Sequence, residues 1–162
     1  MKIHFLRHGI AEEPTFSMTD AERRLTKEGV LKMEREARGM ARLGLKWDCI
    51  YSSPYPRALE TAQIVQKTLG LPILEVAEGL ACGYFGLGAL QELTKRHASR
   101  AELLFVGHEP HLSLLVEQLS GANIEMKKGS LACVETNTPE PDAGILRFLL
   151  TPSQLVCLGE NT

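Results

Sequence analysis

The stretch Phe5-Leu6-Arg7-His8-Gly9 decides how this chain is read. An apolar run with strand character ends on adjacent arginine and histidine, which delivers a permanent cation and a nucleophilic ring nitrogen together. Arg7 keeps its charge at any working pH, and its planar fork matches two oxygens of a phosphoryl group. A neutral His8 has a lone pair able to attack phosphorus, dividing one hard displacement into two easier ones. Gly9 lets the backbone pass close to a phosphate. Taken alone, the tripeptide also reads as a turn.

Two further segments repeat the pattern of a short apolar strand, a small-residue break and a cationic residue entering a helix. In Asp48-Cys49-Ile50-Tyr51-Ser52-Ser53-Pro54-Tyr55-Pro56-Arg57, the prolines suit a helix start, Ser53 is expected to cap that helix, and Arg57 falls in its first turn. In Leu103-Leu104-Phe105-Val106-Gly107-His108-Glu109-Pro110, His108 takes the equivalent place. Ligands of open α/β sheets bind outside the carboxyl ends of the strands. Arg7, His8, Arg57 and His108 are therefore expected to converge on one tetrahedral anion.

Arg7-His8-Gly9, Ser52-Ser53-Pro54 with Arg57-Ala58 and Thr61-Ala62, and Gly107-His108 resemble the histidine phosphatase superfamily, and within it the short SixA-type phosphohistidine phosphatases. Asp20 to Gly29, with Arg24-Leu25-Thr26, is similar to the family's entry into its first helix, and Lys128-Gly129-Ser130-Leu131-Ala132 to its turn into a late strand. The resemblance implies a phosphoglycerate mutase-like fold. It also implies that His8 is the nucleophile, that Arg7, Arg57 and His108 stabilise the nonbridging oxygens, and that no metal or other cofactor is used.

The 162 residues suit one domain spanning 1–162 with a sizeable core. A net charge of −2 and the lack of a basic run argue against a nucleic-acid partner. No apolar stretch reaches the length of a signal peptide or a membrane span, so a cytoplasmic location is expected. Cys49, Cys82, Cys133 and Cys157 lack metal-knuckle spacing and read as reduced core or loop residues, with Cys82 in a loop the thiol to watch.

Periodicity predicts strands near residues 2–7, 48–52, 73–76, 102–107, 131–136 and 144–151, and helices near 26–43, 55–69, 87–98 and 111–120. Thr26 caps the first helix, Gly70 and Gly121 end two others, and Pro139 to Gly144 turns the last two strands into an edge hairpin. The glycine-rich loop 78–86 either borders the site or forms a flexible surface connection. The alternation points to an α/β class, a three-layer α/β/α sandwich around a mostly parallel, mixed sheet.

No general acid stands out. Glu12, Glu13, Glu78 and Glu109 are candidates, though a glutamate in such a position is more often a solvated loop carboxylate. The gap suits a leaving group that protonates readily, such as the imidazole of phosphohistidine. A protein-phosphohistidine phosphatase is thus the first reading, with a phosphorylated protein, plausibly a phosphorelay domain, as partner. A phosphatase of small phosphomonoesters such as sugar phosphates, and a non-catalytic phosphate-binding regulatory domain, are the alternatives. His111 beside His108 admits a metal-site reading, disfavoured by the two neighbouring arginines. His4 and His97 are expected to serve packing or helix ends, Glu60 to orient a neighbour, and Trp47 and Tyr84 either to line a mouth or to pack.

Overall fold

The computed structural model describes residues 1–81 and 83–160. Among them, six strands form one sheet: β1 (Lys2–Arg7), β2 (Cys49–Ser52), β3 (Leu74–Val76), β4 (Glu102–Gly107), β5 (Leu131–Thr136) and β6 (Gly144–Leu150), in the order β3-β2-β4-β1-β5-β6. β1 pairs parallel with β4, and β2 parallel with both β3 and β4, whereas β5 runs antiparallel to β1 and to β6. The helices are α1 (Lys27–Arg42), α2 (Pro56–Leu69), α3 (Leu87–Thr94), α4 (His111–Ser120) and α5 (Pro152–Glu160).

Strand side chains alternate between faces, so each sheet face carries its own apolar cluster. Ile3, Phe5, Tyr51, Leu103 and Phe105 pack with Leu90 of α3 and with Leu112, Leu115, Val116 and Leu119 of α4. Leu6, Ile50, Leu104 and Val106 pack with Met33, Ala37 and Met40 of α1, with Ala58, Ala62 and Val65 of α2, and with Leu155 of α5. Both faces are covered, which gives the expected three-layer α/β architecture.

The caps predicted at Thr26, Gly70 and Gly121 hold. The Thr26 hydroxyl accepts from Gly29 N at 2.9 Å, and Gly70 and Gly121 end α2 and α4 with φ of 65° and 70°. Three expectations need correction. The helix expected at 87–98 stops at Thr94, where the Thr94 hydroxyl donates back to Leu90 O and His97 N closes a turn on Thr94 O. The His97 ring then meets the Tyr51 hydroxyl at 2.7 Å. Ser53 does not cap α2; Tyr55 occupies that position without a side-chain cap.

The third correction is α5, which was not expected at all. Thr151 and Gln154 bond reciprocally at its start, Thr151 N to Gln154 Oε1 at 2.9 Å and Gln154 N to Thr151 Oγ1 at 3.4 Å, with Pro152 in the first turn. α5 crosses α1 nearly backbone to backbone. A Cβ on Gly39 would lie 2.1 Å from Leu155 O, and one on Gly159 2.2 Å from Arg35 O.

The loop 78–86 is anchored rather than free. Leu80 and Phe85 are buried, and the Phe85 ring stacks on Phe105 with centroids 5.7 Å apart. Cys82 lies outside the described residues. Cys49 and Cys133 are buried core thiols, and Cys157 is exposed on α5. Trp47 is buried and packs edge-on against His4 at 5.4 Å, while Tyr84 is exposed. Among the described residues no helix is long and apolar enough to cross a membrane.

Candidate active site

β1, β2 and β4 are adjacent and parallel, so their carboxyl ends meet on one edge of the sheet. Backbone bonds lock the residues that follow them: His8 N donates to Gly107 O at 3.2 Å and Ser53 N to Val106 O at 3.0 Å. The rings of His8 and His108 thereby stand 5.2 Å apart between centroids. Arg57, in the first turn of α2, points its Nε at His8 Nε2, 3.3 Å away. Residues a hundred positions apart in the chain thus stand side by side.

The tautomer of His8 follows from its partners. Its Nδ1 lies 2.7 Å from Gly9 O, a carbonyl that can only accept, so Nδ1 carries the proton. Nε2 then keeps its lone pair and accepts from Arg57 Nε. Gly9 N in turn donates to the Thr61 hydroxyl at 3.1 Å, and that hydroxyl donates to Arg57 O at 2.7 Å. Thr61 thus ties the loop after His8 to the helix bearing Arg57.

Burial and the surrounding positive charge keep the imidazoles neutral. Burial pulls the pKa of His8 down to about 3, with the charges of His108, Arg57 and Arg7 adding to it against the raising bond to Gly9 O. Burial likewise pulls His108 to about 4, aided by Arg57. Buried His108 Nε2 pairs with the Ser53 hydroxyl at 2.8 Å, and its Nδ1 has no hydrogen-bond partner among the described residues. Arg7 donates from Nη1 to Met126 O at 2.7 Å, leaving its buried Nε unpartnered as well. Such unpartnered buried polar atoms cost about 1–3 kcal/mol each, and a bound oxyanion would offset that of the Arg7 Nε donor.

Three neighbours of the site were not expected. The Asp20 carboxylate accepts from Arg57 Nη2 at 2.8 Å and from Arg23 Nη1 at 2.7 Å, while Arg57 Nη1 bonds Asp20 O. Burial pushes the Asp20 carboxyl up, but the bonds and charges of Arg23 and Arg57 outweigh it and hold the group below the usual carboxylate range. Ser53, expected to cap a helix, positions His108 instead. Tyr55 places its ring 5.2 Å from the His108 ring and 5.2 Å from the Arg57 guanidinium carbon.

The four glutamate candidates have other surroundings. Glu12 Oε2 accepts from Arg24 N at 2.9 Å, and Glu109 Oε1 accepts from Ser113 N at 3.3 Å in the first turn of α4. Glu13 is an exposed loop residue, and Glu78 is exposed at the start of a single 3-10 turn, Glu78–Leu80. Glu60 orients the 24–25 backbone, accepting from Leu25 N at 2.8 Å and from Arg24 Nε at 2.6 Å. Among the described residues no group of three or more His, Cys, Asp or Glu side chains is arranged to hold a metal, and His111 has no carboxylate partner.

These buried groups set a pH window for stability. His4 is held near a pKa of about 4, mainly by burial, alongside His8 at about 3 and His108 at about 4, whereas all three titrate near 6.5 when unfolded. Between pH 4 and 6.5 the unfolded chain binds more protons, so stability rises with pH by about 1 kcal/mol per pH unit for each histidine. Buried Glu36 acts oppositely. Its pKa is raised by burial from 4.5 to about 8, so its contribution is complete below pH 4.5 and is lost as pH rises through 8. Urea unfolding between pH 4 and 9 is expected to show maximal stability near pH 6.5, and Glu36→Gln to remove the alkaline decline.

The model of the histidine phosphatase superfamily, branch 1, matches residues 3–81. An uncharacterised protein of Picosynechococcus is 33% identical over 137 residues, covering 81% of this chain and 82% of the relative. The solved structure of the protein histidine phosphatase SixA complexed with tungstate is similar with 25% identity and a TM-score of 0.82, covering 96% of this chain and 99% of that one. A putative alpha-ribazole-5'-P phosphatase from Escherichia coli shares the fold at 18% identity and a TM-score of 0.73, covering 94% and 98% of the two chains.

Proposed function

The chain belongs to the histidine phosphatase superfamily, and from that premise we propose that it hydrolyses phosphohistidine on a protein through a covalent phosphoryl-His8 intermediate. The observation that carries the reading is the tautomer of His8, whose Nδ1 is occupied by Gly9 O while Nε2 presents its lone pair toward Arg57. With the proton held on Nδ1, the unprotonated nitrogen is the one that faces the arginine clamp, which is the form a nucleophile needs there.

In the first step the Nε2 lone pair forms a bond to phosphorus as the substrate's N–P bond breaks. The substrate ring leaves as a neutral imidazole when its other nitrogen already carries a proton, so no carboxylic acid has to supply one. Arg7, Arg57 and His108 donate to the nonbridging oxygens, where charge shifts during transfer, and this positioning and electrostatic work is the main catalytic contribution to phosphoryl transfer. Water then attacks phosphorus, the P–Nε2 bond breaks, and inorganic phosphate leaves behind a neutral His8. The lowered pKa of His8 keeps it in its attacking form over the whole physiological range.

The acidic group found beside the clamp is Asp20, which is ionised and bonded to two arginines, an environment unsuited to protonating an alkoxide. This supports an imidazole leaving group over a sugar alkoxide. The tungstate in the SixA complex, a tetrahedral oxyanion, is in keeping with a phosphoryl-binding clamp. The test is turnover on a phosphohistidine protein compared with a panel of phosphomonoesters that includes sugar phosphates. A kcat/KM at least about a hundredfold higher on the phosphohistidine protein is expected, and equal values or a preference for the esters would overturn the assignment.

A further inference from the structure

A groove of about 380 Å³ opens at Arg7, lined also by Lys32 of α1, by Lys127 and Lys128, and by the first turn of α5. Lys127 and Lys128 stand in the turn that is bonded to the strand end bearing Arg7 and His8. Arg7 N donates to Ser130 O and Gly129 N to Arg7 O, each at 3.1 Å, while Lys127 N donates to the Ser130 hydroxyl at 3.0 Å. Gly129, at φ 90°, makes this turn possible, since a Cβ there would fall 2.4 Å from the Glu36 carboxylate oxygen beneath it. The turn and the clamp therefore move as one piece.

The groove's charge stands uncompensated. None of Lys32, Lys127 and Lys128 has a carboxylate within ion-pair distance among the described residues. Glu36, packed beneath the turn at Gly129, is buried, and burial raises its pKa to about 8 against the lowering charge of Lys32. In a chain of net charge −2, four cations in one groove are a local reversal of sign. A single carboxylate on a small phosphate ester would engage one or two of these ammonium groups. Three lysines on two elements match several carboxylates in a row, which a protein segment supplies, and Lys127 is open to solvent where such a segment would approach.

We propose that this groove binds acidic side chains flanking the phosphohistidine of the protein substrate, and so selects among phosphorylated proteins. The proposal rests on the phosphohistidine reading above and adds a specificity site to it. Charge attraction of this kind lowers KM and speeds encounter while leaving the chemical step alone.

The experiment uses two phosphohistidine peptides of one sequence, the first with Asp and Glu around the modified residue and the second with Asn and Gln in their place. The native protein is expected to show a KM about tenfold lower for the acidic peptide in low salt, with the preference shrinking as salt screens it. The variant Lys127→Gln/Lys128→Gln is expected to raise the KM of the acidic peptide to that of the neutral one at unchanged kcat. Equal KM values with the native protein, or a preference that survives in the variant, would overturn the groove while leaving the phosphohistidine activity standing. Failure to hydrolyse either peptide, alongside good turnover of phosphomonoesters, would overturn the functional reading and this inference with it. A loss confined to a carboxylated ester such as O-phosphoserine would assign the lysines to a small substrate and also overturn it.

Discussion

His8→Ala is expected to lose turnover by at least about 10⁴-fold, because the two-step route disappears with its nucleophile and direct attack by water has no substitute for it. The fold should survive: the side chain is buried without contributing to either apolar cluster, and its removal relieves the cost of keeping an imidazole neutral between cations. Binding of tungstate, measured by titration calorimetry, should stay within about tenfold of the native value, since Arg7, Arg57 and His108 remain. A labelled, alkali-stable and acid-labile phosphoryl group should be trapped on the native protein and absent from the variant. Full activity in His8→Ala would remove it as nucleophile, whatever the other three residues do.

Arg57 carries the second large effect. Its guanidinium faces His8 Nε2 through Nε and holds Asp20 through both terminal nitrogens, all from a side chain that is 3% exposed. Arg57→Ala is expected to lower kcat/KM by about 10³-fold, the size seen when a preorganised donor is lost from a transition-state oxyanion. Two causes combine in that loss. The forked donor is gone, and Asp20 loses one of its two cationic partners, so an ionised carboxylate faces the incoming phosphoryl group less well compensated. Adding Asp20→Asn to the Arg57→Ala protein should therefore recover about tenfold by removing the like charge. Arg57→Lys should recover little, since an ammonium cannot present the same planar fork. An Arg57→Ala protein with native kcat/KM would show that the clamp does not need it.

Much of this site was legible because its members stand at the ends of strands. Apolar runs such as Leu103 to Val106 announce a buried strand, and the polar residue that follows each run is placed by the sheet itself, so the positions of Arg7, His8 and His108 are legible from pattern while their roles rest on the family resemblance. Arg57 was readable from the prolines before it. Asp20 was not, although it opens a stretch that resembles the family: nothing local distinguishes it from Glu12 or Glu13, and its role comes from a pairing across 37 positions with Arg57. Ser53 reads as a helix cap because it precedes two prolines, yet the helix begins after Tyr55, and the Ser53 hydroxyl accepts from Tyr55 N at 3.3 Å and pairs with His108. α5 was overlooked despite the Thr151-Pro152 start signal, because the apolar strand Ile145 to Leu150 runs directly into it and Gly159 weakens its helical character.

Where α1 and α5 cross, the missing side chains of Gly39 and Gly159 bear on recognition as well as on packing. The first turn of α5 forms one bank of the lysine-lined groove, while the crossing lies along the length of the same helix. A methyl group added at Gly39 would prise α5 outward like a lever, widening that bank with none of the charges altered. Substrate preference in this protein is thus exposed to drift through residues that no substrate ever meets.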